Sequence, residues 1–262
     1  MSDAVYEDAG DGRFVASELA RGPWDPRAQH GGAPAALLMR EFERLPAEDG
    51  LQLARATYEL LRPVPMGELR AEARVVRRGR RVQLLEGTIA TPDGTEVVLA
   101  RALQVREADA PASGGEPPPP GPEQGKPHAP GGEGFTPPHS PMFAPDAIEI
   151  RFVSGIFGRG PATAWFRLRV PLVAGEEPTP LQRLAAAGDF GNGISAVLDW
   201  GRYAFINPDL TLYIDRPPEG EWICLDATTR IAPGGIGSAE SVLYDERGRA
   251  GRAIQALLVA PR

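Results

Sequence analysis

The chain has one cysteine, Cys224, in 262 residues, so it can form no internal disulfide and no zinc site built from cysteines. Cys224 sits in the strand-like run Trp222-Ile223-Cys224-Leu225 and reads as a small buried hydrophobe. Histidine is scarce too, with His30, His128 and His139 only. No apolar run approaches the ~18 residues that a membrane-spanning helix needs, so no membrane partner is expected. The opening "MSDAVYEDAGDGRF" is acidic and lacks the apolar centre of a secretory leader, which favours a soluble, cytoplasmic protein. The net charge is −7, acids and bases are interspersed, and no basic stripe invites nucleic acid. A phosphate loop, a dinucleotide fingerprint, a metal-ligand cluster and a serine-nucleophile elbow are all missing. "GRGPATA", residues 158–164, lacks the Lys-Ser/Thr of a phosphate loop. Neither a metal nor a redox cofactor is expected.

Proline is what the chain has in plenty. "DAPASGGEPPPPGPEQGKPHAPGGEGFTPPHSPMFAP" starts at Asp109 and holds twelve prolines between Pro111 and Pro145. Neither a helix nor a continuous sheet is expected there. Residues 109–146 read as a surface linker, partly polyproline II, between residues 1–108 and 147–262. His128 and His139 fall inside it and read as solvated.

The two sides of this linker resemble each other. Residues 57–105, "TYELLRPVPMGELRAEARVVRRGRRVQLLEGTIATPDGTEVVLARALQV", align with residues 211–259, "TLYIDRPPEGEWICLDATTRIAPGGIGSAESVLYDERGRAGRAIQALLV". Each starts with a short apolar strand ending in Arg-Pro, at Arg62-Pro63 and Arg216-Pro217. Gly67-Glu68 and Gly220-Glu221 then fit hairpin turns, and three strands separated by turns follow. Upstream lie small-residue helices, expected at residues 30–45 and 190–203, and before them strand-like runs from Arg13 and Ala162. The pattern is a duplication with a period of about 150 residues. A helix this poor in large polar residues must be covered on most sides, and a curved antiparallel sheet can cover it. The expected architecture is therefore α+β, with two tandem hotdog units forming a double hotdog. Their edge strands could pair into one sheet and remove two exposed edges.

Three stretches carry a resemblance to a known family: Trp24 followed by "AQHGGAPAALLMR", then "FINPDLTLYIDRPPEGEWICLDA", and "LYDERGRAGRAIQALL". The sequence resembles the double-hotdog acyl-CoA thioesterases, relatives of bacterial acyl-CoA thioesterase II. The resemblance spans both halves but not the linker. It implies hydrolysis of an acyl-CoA substrate by an activated water, with the acyl chain in a tunnel between helix and sheet. In that family an Asp near the second helix, a Thr or Ser entering the next strand and a Gln on the last strand hold the water. The matching residues are Asp189, Asn207 and Gln255. Asn207 departs from the pattern by replacing a hydroxyl with a carboxamide, which still offers water a donor and an acceptor. Hotdog pairs often associate further, so a homo-oligomer is an expectation by analogy of fold.

Read from the residues alone, other roles stay open. Asp189 suits the N-cap of a helix, where an anion is stabilised by ~0.3–1 kcal/mol. Its duplicate in the first half falls near the uncharged Gln29, which favours one site per chain. Gln255 lies among apolar neighbours and could be a structural amide; its duplicate is Arg101. Asn207-Pro208-Asp209 is an ordinary turn sequence. His30, Gly31 and Gly32 open the first helix, where amides could bind a carbonyl or phosphate and where glycines also serve close packing. Asp25 and His30 are five apart, the spacing of a hotdog enoyl-CoA hydratase dyad, a rival reading. A non-catalytic acyl-CoA-binding protein is a second rival.

Overall fold

A computed structural model describes residues 3–47, 49–111, 117–128 and 141–262. The first half contains β1 (Tyr6–Gly10), β2 (Arg13–Ala16), α1 (Gly32–Glu43), β3 (Leu51–Leu60), β4 (Gly67–Arg77), β5 (Val82–Ala90) and β6 (Glu96–Arg106). The linker contributes β7 (Lys126–Pro127), and the second half contains β8 (Ile148–Ser154), β9 (Ala162–Leu168), α2 (Pro180–Gly188) and α3 (Gly191–Ser195). It continues with β10 (Tyr203–Ile206), β11 (Asp209–Ile214), β12 (Trp222–Ile231), β13 (Ile236–Asp245) and β14 (Gly248–Pro261).

These strands join one antiparallel sheet in the order β1-β2-β4-β5-β6-β3-β11-β14-β13-β12-β9-β8-β7, with β10 also pairing β14. The halves meet at β3 and β11, so the inner edge of each is paired rather than exposed. Alternate residues of β5, Gln83, Leu85, Gly87 and Ile89, are buried, the period expected when one sheet face covers a core. That core is α1 and α2. Helix α1, "GAPAALLMREFE", is buried nearly all round, with Pro34 tolerated in its first turn. A Cβ on Gly32 would stand 2.4 Å from the Ala186 carbonyl oxygen, so the two helices touch backbone to backbone there. No helix among the described residues is long and apolar enough to cross a membrane.

A pseudo-twofold relates the halves. Thr57 stands opposite Thr211 at the β3–β11 junction, 154 positions apart, with the two hydroxyl oxygens 3.2 Å from each other. The flanking pairs Glu59–Asp209 and Arg55–Tyr213 exchange under that separation. Carried outward it matches Leu85 to Ala239, and these stand opposite Ala102 and Gln255 respectively. The counterpart of Gln255 is thus Ala102, not Arg101: the last strands are out of step by one residue, which turns the opposite face inward. The counterpart of Asp189 falls at Ala35 inside α1, not at Gln29.

Two further expectations change. The second helix does not span residues 190–203. It starts earlier, where the Thr179 hydroxyl accepts the Gln182 N–H at 3.2 Å and Pro180 fills the first turn. It ends at Ser195, and beyond it the Asp199 carboxylate accepts the Gly201 N–H at 2.7 Å to close a turn. The linker also takes part in the fold. Its Lys126 and Pro127 form the outermost strand on β8, and the Trp165 indole N–H donates to the Pro120 carbonyl at 2.7 Å. His139 lies outside the described residues.

Candidate active site

Asp189 occupies the junction of α2 and α3. Its backbone closes α2 in helical geometry (φ −80°, ψ −6°), and no side-chain cap bond is made to α3. The N-cap expectation is therefore wrong in place and role: the carboxylate turns sideways toward the sheet. There Oδ1 accepts the Asn207 Nδ2–H at 2.8 Å and the Gln255 Nε2–H at 2.9 Å. Oδ2 lies 3.1 Å from His30 Nδ1. The side chain is only 5 % exposed. Two amide donors satisfy this buried oxygen, which would be costly to leave unpaired.

Each partner is positioned by a local break or a strand. Asn207 and Pro208 fill the gap between β10 and β11, where the first half has only a one-residue irregularity between Leu53 and Arg55. The gap frees Asn207 to donate to both Asp189 and the Asp209 carbonyl, the latter at 3.0 Å. Asp209 opens β11 rather than sitting in a turn, and its Oδ1 accepts the Ala256 N–H of β14 at 2.6 Å. Gln255 projects inward from β14 and is 1 % exposed. Its Oε1 accepts the Asn192 backbone N–H at 3.1 Å, which fixes which end of the amide faces Asp189. Asn192 was not singled out from the sequence. Its signal was the Gly-Asn-Gly run itself, since a Cβ on Gly191 would meet Ser241 Oγ at 2.6 Å and hold α3 away from Gln255.

His30 and Gly31 close the arrangement from the first half. A Cβ on Gly31 would stand 2.8 Å from Asp189 Oδ2, so only glycine allows the carboxylate this close to the start of α1. His30 stacks on Phe190 at 4.4 Å between ring centres. Its Nδ1 is within reach of both the Gly32 N–H, at 3.1 Å, and Asp189 Oδ2, and can serve one at a time. An ionised Asp189 selects the Nδ1–H tautomer. Gly32 packs on Ala186 instead of lining the cavity. Asp25 lines the same cavity and pairs with Arg27 at 2.9 Å, whereas the carboxylate that meets His30 Nδ1 is that of Asp189.

Asp189, Asn207, His30 and Gly31 lie on the wall of a cavity of about 450 Å³ between the halves. The rest of the wall is mostly apolar and includes Trp24, Val64, Met142, Ile150, Phe157 and Trp200. That is the usual character of a small-molecule site, a greasy cleft with a few convergent polar groups. His128 is part of this wall. It is half-buried and stacked on Phe157 at 4.9 Å, which corrects its reading as a solvated linker residue. Burial pushes its pKa below the usual histidine value.

Solved structures share this fold across nearly the whole chain. A conserved protein with hot dog fold from Alicyclobacillus acidocaldarius is 19 % identical with a TM-score of 0.71, covering 97 % of this chain and 95 % of its own. A tesB protein from Mycobacterium avium subs paratuberculosis is 14 % identical with a TM-score of 0.68, covering 98 % and 96 %. The acyl-CoA thioesterase II TesB2 of Mycobacterium marinum is 14 % identical with a TM-score of 0.67 and the same coverage. At these identities they show the fold, which is a hotdog fold. No curated protein sequence matches the chain significantly. Family models do: the acyl-CoA thioesterase N-terminal domain matches residues 20–105 and the C-terminal domain matches residues 112–259. The chain belongs to the acyl-CoA thioesterase family and is a thioester hydrolase.

Proposed function

We propose that Asp189 is the general base of acyl-CoA hydrolysis, acting on a water held beside it, and that Asn207 and Gln255 keep its carboxylate aimed. The water gives a proton to Asp189 as its oxygen attacks the thioester carbonyl. The oxyanion is received at the start of α1, where Gly31 lines the cavity and the helix dipole favours negative charge. Collapse breaks the C–S bond, and the proton on Asp189 passes to the departing CoA thiolate, leaving the free acid. Asn207 Oδ1, opposite the amide group that holds Asp189, supplies an acceptor for the water. The apolar cavity takes the acyl chain, and His30 steadies Oδ2.

The observation that carries this reading is the asymmetric dress of one buried carboxylate. Oδ1 is saturated by two amides, while Oδ2 faces His30 and Gly31 at the cavity wall. We also read the fold as a double hotdog: tandem units at residues 1–108 and 147–262 joined by residues 109–146. The pseudo-twofold through Thr57 and Thr211 supports this division.

The test is release of free thiol from acyl-CoAs of graded chain length. Asp189→Asn keeps the shape and removes the base, so kcat is expected to drop about 10³-fold with an unchanged melting curve. A variant within a fewfold of wild type would sink the assignment of Asp189.

A further inference from the structure

We propose that Arg62 is the group that receives a phosphate of the coenzyme A part of the substrate at the mouth of this cavity. The argument comes from the duplication. Arg62-Pro63 and Arg216-Pro217 are the same feature in the two halves, and their backbones are held alike. The Leu61 N–H donates to the Val97 carbonyl at 3.0 Å, and the Asp215 N–H to the Ala250 carbonyl at 2.9 Å. The side chains have opposite fates. Arg216 is locked onto Asp245, with Nη2–Oδ1 at 2.6 Å and Nη1–Oδ2 at 2.5 Å, and also reaches the Gly248 carbonyl. Asp245 is fully buried, and among the described residues it has no other charged side-chain partner that could replace Arg216.

In the first half that acid is absent. Cys224 pairs with Tyr244 as Arg70 pairs with Ala90, so the position matching Asp245 is Thr91. Thr91 bonds within its own turn, to Asp93 and to the Thr95 carbonyl. Arg62 is left exposed, with no side-chain partner among the described residues, and it lines the cavity that holds Asp189. It is the only Lys or Arg on that wall among the described residues. A chain of net charge −7 repels an anionic substrate, so an unneutralised guanidinium at the entrance has a large relative effect. Its planar fork fits phosphate oxygens in pairs. The proposal rests on Asp189 marking the reacting end.

The experiment compares wild type and Arg62→Ala on three thioesters of one acyl group: acyl-CoA, acyl-4′-phosphopantetheine and acyl-pantetheine. The ratio of kcat/KM for acyl-CoA to that for acyl-pantetheine is expected to fall about tenfold, through KM. Arg62→Lys keeps part of the difference, and added salt shrinks it. A fall shared by acyl-4′-phosphopantetheine assigns the phosphate nearest the arm; a fall for acyl-CoA alone assigns the nucleotide phosphates. Equal change on all three thioesters overturns the proposal. Arg62 is exposed, so its removal is expected to leave melting near wild type. Full activity of Asp189→Asn would remove the reacting end yet leave the phosphate discrimination readable, so the two failures are separate.

Discussion

The two halves of this chain use one backbone plan for two purposes. At the positions where the second half carries Asp189, Asn207 and Gln255, the first carries Ala35, Leu53 and Ala102, all buried and apolar. Where the second half ties Arg216 to a buried acid, the first leaves Arg62 at the cavity rim. The cavity between the halves therefore has both a carboxylate and a free cation on its wall. The regularity of each half follows the same division. Helix α1 runs unbroken past Ala35, whereas the chain breaks helix at Asp189 and strand at Asn207. At Asp189 and Asn207 the break lets a side chain turn toward partners that a regular element would hide.

Several substitutions press on this contrast. The largest stability effect is expected at Arg216→Ala, which strands Asp245 in the interior. Burial pushes that carboxyl up, but Arg216 and the backbone N–H groups of Glu219 and Arg247 outweigh it and hold it below the usual range. Losing the guanidinium should cost about 3 kcal/mol, read by denaturant unfolding, while Arg62→Ala costs little. Equal losses would mean that the two arginines are not differently employed.

Gly31→Ala gives the first half's helix start the residue found at its counterpart, Ala185. The new Cβ would crowd Asp189 Oδ2, so kcat is expected to fall tenfold to about 10²-fold, with the fold retained. An unaffected kcat would show that the carboxylate has room to shift without loss.

The smallest effect concerns His128, which the linker supplies to the cavity wall. Its folded pKa is lowered by burial, so the unfolded chain binds its proton more readily. Stability is then full above the unfolded value of about 6.5 and declines as pH falls toward the folded value. His128→Phe should flatten the decline between about pH 7 and 5, measured by thermal melting. A slope identical to wild type would mean that another group is responsible.

Much of this was legible in the sequence. The duplication, the α+β pattern, the proline-rich segment and α1 were visible because they rest on local rules: alternation, small-residue helices, turn pairs and proline. Asp189, Asn207 and Gln255 were picked out through family resemblance, and their mutual hydrogen bonds could not be. The errors share one cause. The N-cap role for Asp189, the pairing of Gln255 with Arg101 and the solvated His128 each assumed that local sequence decides what a side chain faces. A strand one residue out of step, or a linker histidine seated on a cavity wall, reverses that without leaving a local trace.

By itself the sequence determined which segments could be strand or helix, since those choices follow from side-chain spacing and backbone freedom within a few residues. It also determined that the halves repeat, and that only one carries an acid near its second helix. The tertiary structure alone decided that Asp189 meets Asn207, Gln255 and His30, and that Arg62 rather than Arg216 stays free. Those contacts join residues up to 159 positions apart, from 30 to 189. They depend on sheet register and helix approach, which are set by packing of the whole core.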